Sequence, residues 1–254
     1  MTRPVFLAED LSCVPSSLAV GERATLGGSE GRHAAFVRRI GAGEWVDVAD
    51  GRGLRLTCEV VGADKSSLSL VVREVVQEES PRPEIILVQA LAKGGRDEAA
   101  VEICTEIGID RVIPWASQRA IVQWRGPKAE KGRAKWEGVA RAAAKQSRRA
   151  YVPVVEAVTD SRELASWVRA LTDEAGAAFV CHEEATQSLG AALARVQGDA
   201  TDGSLPARVA LIVGPEGGIG PEETAQLVAA GARTVGLGAN VLRSSTAGAV
   251  ALTL

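Results

Sequence analysis

Residues 210–252 read ALIVGPEGGIGPEETAQLVAAGARTVGLGANVLRSSTAGAVAL, and the rhythm of that stretch decides the fold. Leu211-Ile212-Val213 is a short apolar run of buried-strand type. It stops at Gly214-Pro215-Glu216-Gly217-Gly218, where few side chains obstruct the approach of a ligand to the backbone. Pro221 falls where a first helical residue belongs, with Glu222 and Glu223 in the first turn. A second strand, Thr234 to Leu237, ends at Gly238 and opens a second loop that runs through Leu242-Arg243-Ser244-Ser245-Thr246-Ala247 into a final helix. Strand–loop–helix alternation of this kind implies a parallel α/β sheet. Two such loops at the ends of neighbouring strands make a small-molecule site.

The alternation extends back to Glu84. Ile85–Ala90 is an apolar strand, Asp97–Ile107 a helix ended by Gly108, and Arg111–Pro114 the start of another strand. A long helix covers roughly 131–148, and Ala177–Cys181 is a further apolar run. Asp202-Gly203-Ser204 reads as a surface turn. Before Ser80 the pattern differs. Trp45–Val48, Leu54–Val61 and Leu68–Val72 are β-like runs separated by Gly51-Arg52-Gly53 and Gly62-Ala63-Asp64-Lys65, the pattern of a small sheet or barrel. Glu78-Glu79-Ser80-Pro81-Arg82-Pro83 is a polar, proline-containing boundary, which gives domains 1–78 and 79–254.

Bulk composition excludes several classes. No apolar run approaches the roughly 20 residues that span a bilayer, and the first residues lack the apolar core of a signal peptide. Cys13, Cys58, Cys104 and Cys181 are scattered without metal-type spacing, and His33 and His182 are the only histidines. The expectation is a cytoplasmic protein with reduced thiols, no metal and no membrane partner. Net charge is −3, yet ten basic residues between Arg119 and Arg149 face only Glu130 and Glu137. A positive segment on an acidic protein attracts phosphate; a solvated helix face is the other reading of the same charges.

The glycine loop lacks a Gly-Lys-Ser/Thr ending, which excludes a P-loop, and no Gly-x-Gly-x-x-Gly opens a helix after the first strand. Glu216, Glu222 and Glu223 would repel phosphate, so the loop is either a structural βα turn or a cradle for a neutral or cationic ligand. Ser244, Ser245 and Thr246 are natural helix caps. Arg243 beside them is placed to hold an anion or a developing negative charge. His182-Glu183-Glu184 follows a strand and is expected to line the same crevice, where a Glu beside a His can move protons. Arg38 and Arg39 on a small β domain suit an RNA backbone, whereas His33 reads either as a structural histidine or as a site residue. No Gly-x-Ser-x-Gly elbow is present, which disfavours a serine hydrolase.

The ordered set of motifs resembles the 16S rRNA (uracil-N3)-methyltransferase family of the SPOUT superfamily over nearly the whole chain. It comprises His33 with Val37 and Arg39, Gly51-Arg52-Gly53, Gln89-Ala90-Leu91-Ala92-Lys93, and Glu102 with Thr105-Glu106-Ile107-Gly108. Pro114 with Arg119, Lys135-Trp136, Ala144 with Gln146-Ser147 and Arg149, and Pro153 continue it. His182-Glu183, Gly214–Gly218, Leu237-Gly238, Leu242-Arg243 and Thr246-Ala247 complete it. The resemblance implies an N-terminal PUA-like RNA-binding β-barrel domain and a C-terminal SPOUT domain, a parallel sheet flanked by helices with a deep trefoil knot. It also implies S-adenosylmethionine as cofactor, a homodimer, and 16S rRNA or the small ribosomal subunit as partner. Cofactor contacts are then expected at His182, Glu183, Val213, Gly214, Pro215, Glu216, Gly217, Gly218, Leu237, Gly238, Leu242, Ser244, Ser245, Thr246 and Ala247, with Arg243 catalytic. RNA contacts are expected at Arg3, His33, Arg38, Arg39, Lys93, Arg96, Arg119, Gln146, Ser147, Arg148 and Arg149. The sequence departs from the family at Ser245, where a Glu is common, and at Lys93-Gly94-Gly95-Arg96. Ribose 2′-O-methylation and a non-catalytic rRNA-binding assembly factor are the alternative functions.

Overall fold

The computed structural model describes residues 3–199 and 203–254, so Asp202 of the expected turn lies outside the described residues. Backbone contacts divide the chain into two units, Met1–Ser80 with Ala144–Val152, and Pro81–Ala143 with Pro153–Leu254.

In the first unit β1 (Val5–Leu7), β2 (Arg23–Leu26), β3 (Trp45–Ala49), β4 (Leu54–Ala63) and β5 (Leu68–Gln77) form one sheet in the order β1-β3-β4-β5-β2. β1 runs parallel to β3 and the other pairs are antiparallel. The three strand runs expected from sequence are present. β1 and β2, three and four residues long, offer too few positions to show an alternation. Phe6, Leu26, Val46, Val48, Leu56, Leu68 and Leu70 are enclosed between the sheet and the short helix α1 (Gly28–Arg32) with the turn after it. Asp47 is buried at the rim of this core, and its charge is compensated. Its carboxylate accepts from Arg3 Nε at 2.8 Å, Thr57 Oγ1 at 3.1 Å and Arg55 Nη1 at 3.3 Å. Segment 144–152 joins this unit because Arg55 Nη2 donates to Arg148 O at 2.9 Å and Tyr151 Oη to Glu78 O at 2.9 Å.

The second unit is the parallel α/β sheet. β6 (Glu84–Ala90), β7 (Arg111–Ala116), β8 (Val154–Val155), β10 (Ala177–Cys181), β11 (Arg208–Val213) and β12 (Arg233–Val235) lie in the order β12-β10-β11-β6-β7-β8, and β9 (Thr159–Asp160) pairs with β7. Every pair is parallel. Sheets covered on both faces read as continuous apolar runs, as EIILVQA and RVALIV do. On one face Ile86, Val88, Ala90, Ile113 and Trp115 pack against Leu164, Val168 and Leu171 of α4 (Ser161–Asp173) and Leu227 of α6 (Pro221–Ala229). On the other face Leu87, Leu91, Val112 and Val213 pack against α2 (Arg96–Ile107), α3 (Pro127–Gln146) and α7 (Ser244–Thr253), which supply Val101, Cys104, Trp136, Ala140 and Ala247. α5 (Leu189–Asp199) covers the β10–β12 edge through Leu189 and Ala192.

Pro221 is the first residue of α6, as its ring requires. The second strand of the opening stretch ends at Val235 rather than Leu237, because Gly236 leaves the ladder to bridge Ser188. α4 is absent from the sequence reading, although its start carries a capping box. Asp160 accepts from the Arg162 and Glu163 backbone N–H groups, and Glu163 accepts from the Asp160 N–H.

Candidate functional site

Cys181 at the end of β10 is in register with Val213 of β11 and Val235 of β12. The three loops that follow therefore leave the carboxyl edge of the sheet side by side. Between them lies a cavity of about 490 Å³ lined by residues 213–219, Val241–Ser244, Cys181–Glu183, Arg96 and Ala247. A smaller hollow of about 90 Å³ shares its wall and adds residues 236–240. A larger groove of about 750 Å³ between α4 and α6 is lined mainly by those helices, with Ala116, Gln118 and Asp160 beside them, and receives neither glycine loop.

The backbone conformations show why this sequence builds the cradle. The first loop closes through Gly218 N–H to Pro215 O at 3.0 Å, with Gly218 at φ +72°. Gly238 sits at φ +136°, a value that L side chains rarely adopt. Ser244 is not the cap of α7. Arg243 holds that position without a side-chain cap bond, and Ser244 is the first helical residue. The capping reading of this serine therefore gives way. Its hydroxyl lines the cavity, is buried and has no hydrogen-bond partner among the described residues. A buried polar atom without a partner is costly, so a ligand that supplies one is favoured there.

The charged groups separate by role. Glu216 Oε1 accepts from the Lys93 backbone N–H at 3.1 Å and from Arg96 Nη1 at 3.0 Å. Burial works against its charge, but its own backbone N–H, that of Lys93 and the Arg96 guanidinium prevail and hold the carboxyl below the usual range. Asp97 fixes the loop that carries Lys93 and Arg96 by accepting from Ala92 N–H at 3.1 Å. Burial pushes the Asp97 carboxyl up, against the N–H bonds it accepts. Burial likewise pushes the Cys181 thiol up to about 12, so it is no nucleophile at neutral pH. His182 Nδ1 accepts from Glu184 N–H at 3.2 Å, which places the proton of the neutral ring on Nε2. Arg243 is exposed at the cavity wall and its guanidinium has no partner among the described residues.

Glu223 stands apart from the cavity. It is fully buried and accepts from Gln118 N–H at 2.8 Å, from Gly220 N–H at 3.4 Å and from the Ser161 hydroxyl. Ser161 Oγ itself accepts from Trp115 Nε1 at 3.1 Å. One side chain thus ties the loop after β7 and the start of α4 to the exit of the glycine loop. Arg119 adds a second tie, Nη1 to Gly217 O at 3.2 Å.

A family model described as RNA methyltransferase domain matches residues 78–254, and one described as RNA methyltransferase PUA domain matches residues 26–73. The chain belongs to the RNA methyltransferase family. A relative named ribosomal RNA small subunit methyltransferase E, from Mycobacterium bovis, is 43% identical over 91% of this chain and 85% of its own length. The Bacillus subtilis protein of the same name is 29% identical over 89% of this chain and 86% of its own length. Among solved structures, ribosomal RNA small subunit methyltransferase E from Neisseria gonorrhoeae, bound to S-adenosyl methionine, superposes with a TM-score of 0.81 at 26% identity. That superposition covers 99% of this chain and 96% of the other.

In the methyltransferase unit the structure gathers eleven of the expected cofactor residues around the main cavity: His182, Glu183, Val213–Gly218, Leu242, Ser244 and Ala247. Leu237 and Gly238 line the adjoining hollow, whereas Ser245 and Thr246 line neither. The sequence reading missed Cys181, Ile219 and Gly236 as lining residues; their place directly beside the named loops was the available signal. Arg96, expected on RNA, lines the cavity. Of the basic segment in this unit, Arg133 pairs with Glu137 and Lys135 with Glu98 at 2.5 Å, while Arg119 is exposed; Lys93, outside that segment, is exposed too. In the PUA unit Arg3 is taken up by Asp47, and Lys145 pairs with Glu30 at 2.6 Å. His33 packs edge-on to Phe6 with ring centroids 6.2 Å apart. Arg38, Arg39, Gln146 and Arg148 are exposed, and Ser147 and Arg149 are half-buried. Among the described residues no cluster of His, Cys, Asp or Glu is placed to hold a metal ion.

Proposed function

We propose that this protein methylates N3 of one uridine in 16S rRNA, with S-adenosylmethionine bound in the cavity between the β10, β11 and β12 loops. The observation that carries this reading is the cavity itself: two glycine-rich backbone walls, an unpartnered buried hydroxyl and an unpaired guanidinium at its edge, in a chain of the RNA methyltransferase family. Residues 214–218 and 237–242 hold the adenosine portion against backbone, and His182, Glu183 and Ser244 supply polar contacts. Ser245 and Thr246 act from the first turn of α7.

When bound, the cofactor supplies an electrophilic methyl group on a sulfonium. The protein's part is to bring N3 in line with it and to stabilise the base that accepts it. Uracil N3 is nucleophilic only after its proton leaves, and the resulting charge spreads onto the carbonyl oxygens. Arg243, with no partner of its own, stabilises that charge. Glu216, paired with Arg96 and acidic, is a weak base and holds the loop instead. N3 lies on the Watson–Crick edge, so the target uridine is unpaired or flipped out.

The remaining expectations belong to the same reading. Domains 1–78 and 79–254 divide the work, a PUA-like barrel holding RNA through His33, Arg38 and Arg39, joined by the 146–149 segment that packs with the first unit, and a SPOUT domain performing transfer. The strand order supports the trefoil knot: β11 inserts between β10 and β6, and the chain then crosses back to set β12 outside β10. Ile103 and Ile107, one turn apart on α2 and 40% and 42% exposed, support a homodimer through that helix. The free cysteines suit the reducing cytoplasm.

Mass spectrometry of 16S rRNA from cells lacking the gene tests this. One uracil-borne methyl should disappear, return with the wild-type gene, and stay absent with Arg243→Ala, although calorimetry shows that variant binding S-adenosylmethionine within about threefold of wild type. A lost ribose methyl would turn the reading to 2′-O chemistry, and unchanged rRNA would overturn it.

A further inference from the structure

The chain has three phenylalanines, and two of them, Phe6 and Phe179, are 2% and 0% exposed. The third, Phe36, is 65% exposed, and Val37 beside it is 61% exposed. Both sit on a single-turn π-helix, His33–Val37, that continues α1. The turn is held by Arg38 N–H to His33 O at 2.9 Å and Ile40 N–H to Ala34 O at 3.1 Å. Such turns are rare, and they recur at functional positions. Fraying does not explain the exposure. Ala34 and Ile40, on either side, are buried in the core of the first unit, and His33 is packed on Phe6.

The surroundings of the ring are basic. Arg32, four residues before Phe36, is exposed, as are Arg38 and Arg39 after it. None of the three guanidiniums has a hydrogen-bond or ion-pair partner among the described residues, although Arg3, Arg55 and Lys145 of the same unit are paired. Arg39 also ends the turn at φ +56°, a left-handed position that glycine would occupy at lower cost. A large exposed aromatic ring with unpaired arginines four residues before it and two and three after it is costly as plain surface. It matches the chemistry of unpaired RNA, which offers base faces to stack and phosphates to neutralise.

We propose that Phe36 is a stacking platform for an unpaired base of the RNA substrate, with Arg32, Arg38 and Arg39 holding the adjoining phosphates. This rests on the rRNA reading above and adds a residue that binds by its π-face. Its position between His33 and Arg39 means that the base it holds lies within the stretch contacted by those residues. Val37 widens the apolar floor.

Small subunits purified from cells lacking the gene serve as substrate, and methyl incorporation is followed at saturating S-adenosylmethionine. Phe36→Ala should raise KM for the subunit on the order of tenfold while leaving kcat and cofactor affinity unchanged. Phe36→Trp should restore wild-type KM, and Phe36→Leu, apolar but without a π-face, should behave like Phe36→Ala. The side chain lies outside the core, so all three variants should keep the wild-type melting temperature. A wild-type KM in Phe36→Ala overturns the proposal, as does full function in Phe36→Leu. A changed sedimentation state with unchanged RNA affinity would also overturn it and assign the patch to a second copy of the chain. Failure of the wild-type protein to methylate these subunits would instead remove the rRNA reading.

Discussion

Glu216 makes a testable claim about charge at the level of one residue. Its carboxyl is held below the ordinary value of 4.5 by N–H donors and Arg96, in spite of burial. A carboxyl depressed on folding stabilises the folded state fully above its unfolded pKa and loses that contribution as pH falls through the lower folded value. The stability gap between wild type and Glu216→Gln should therefore stay level from pH 8 to about pH 5 and close below about pH 4.5. Urea midpoints measured across that range check it, and a gap that widens in acid would contradict an ionised Glu216. Sequence alone groups Glu216, Glu222 and Glu223 beside the glycine loop as one acidic neighbourhood of the ligand. The fold separates them, sending Glu216 to Arg96 and Glu223 into the interior, away from the cavity. Nothing in the local sequence distinguishes these outcomes, because each is decided by a residue about a hundred positions away.

At the level of elements, the glycine loop is held from both ends. Arg119 secures Gly217, and Glu223 secures Gly220 while gathering Gln118 and Ser161. Glu223→Ala strands the buried Gly220 N–H and the part-buried Gln118 N–H and Ser161 hydroxyl and should lower unfolding stability by about 2 kcal/mol, whereas Glu223→Gln keeps one acceptor and should cost about half as much. Calorimetry should show weakened S-adenosylmethionine binding in the Gln variant even where it is fully folded. Unchanged affinity would reduce Glu223 to a purely structural residue. The βα units, Pro221 at a helix start and the two loops were legible because strand length, proline and glycine act locally. The start of α7 was misread. Serines are good caps, but here the backbone turn places Arg243 at the cap and turns Ser244 inward. α4 is absent from the sequence reading although both its signals are local: the capping box at Asp160 and Glu163, and Leu164, Val168 and Leu171 at helical spacing on one buried face.

Across the whole molecule, a parallel sheet covered on both faces brings the loops after β10, β11 and β12 side by side at its carboxyl edge, which is where the cavity lies. The return of segment 144–152 to the first unit was not legible, since it depends on Arg55 and Tyr151 finding backbone carbonyls far along the chain. The cysteines carry a practical consequence. Burial pushes Cys58, Cys104 and Cys181 each up to about 12, with a smaller contribution from Asp47 at Cys58 and from Cys181 at Cys104. At pH 7.5 fewer than about one in ten thousand of those thiols is a thiolate, and the thiolate is the species that alkylates. Maleimide should therefore modify Cys13 alone, giving one adduct in the intact mass and a label confined to a peptide near the N-terminus; adducts at Cys181 would refute it. Wild-type protein thus comes with a built-in attachment point for a fluorophore on its PUA unit, and stopped flow with small subunits can follow that label without altering a single residue.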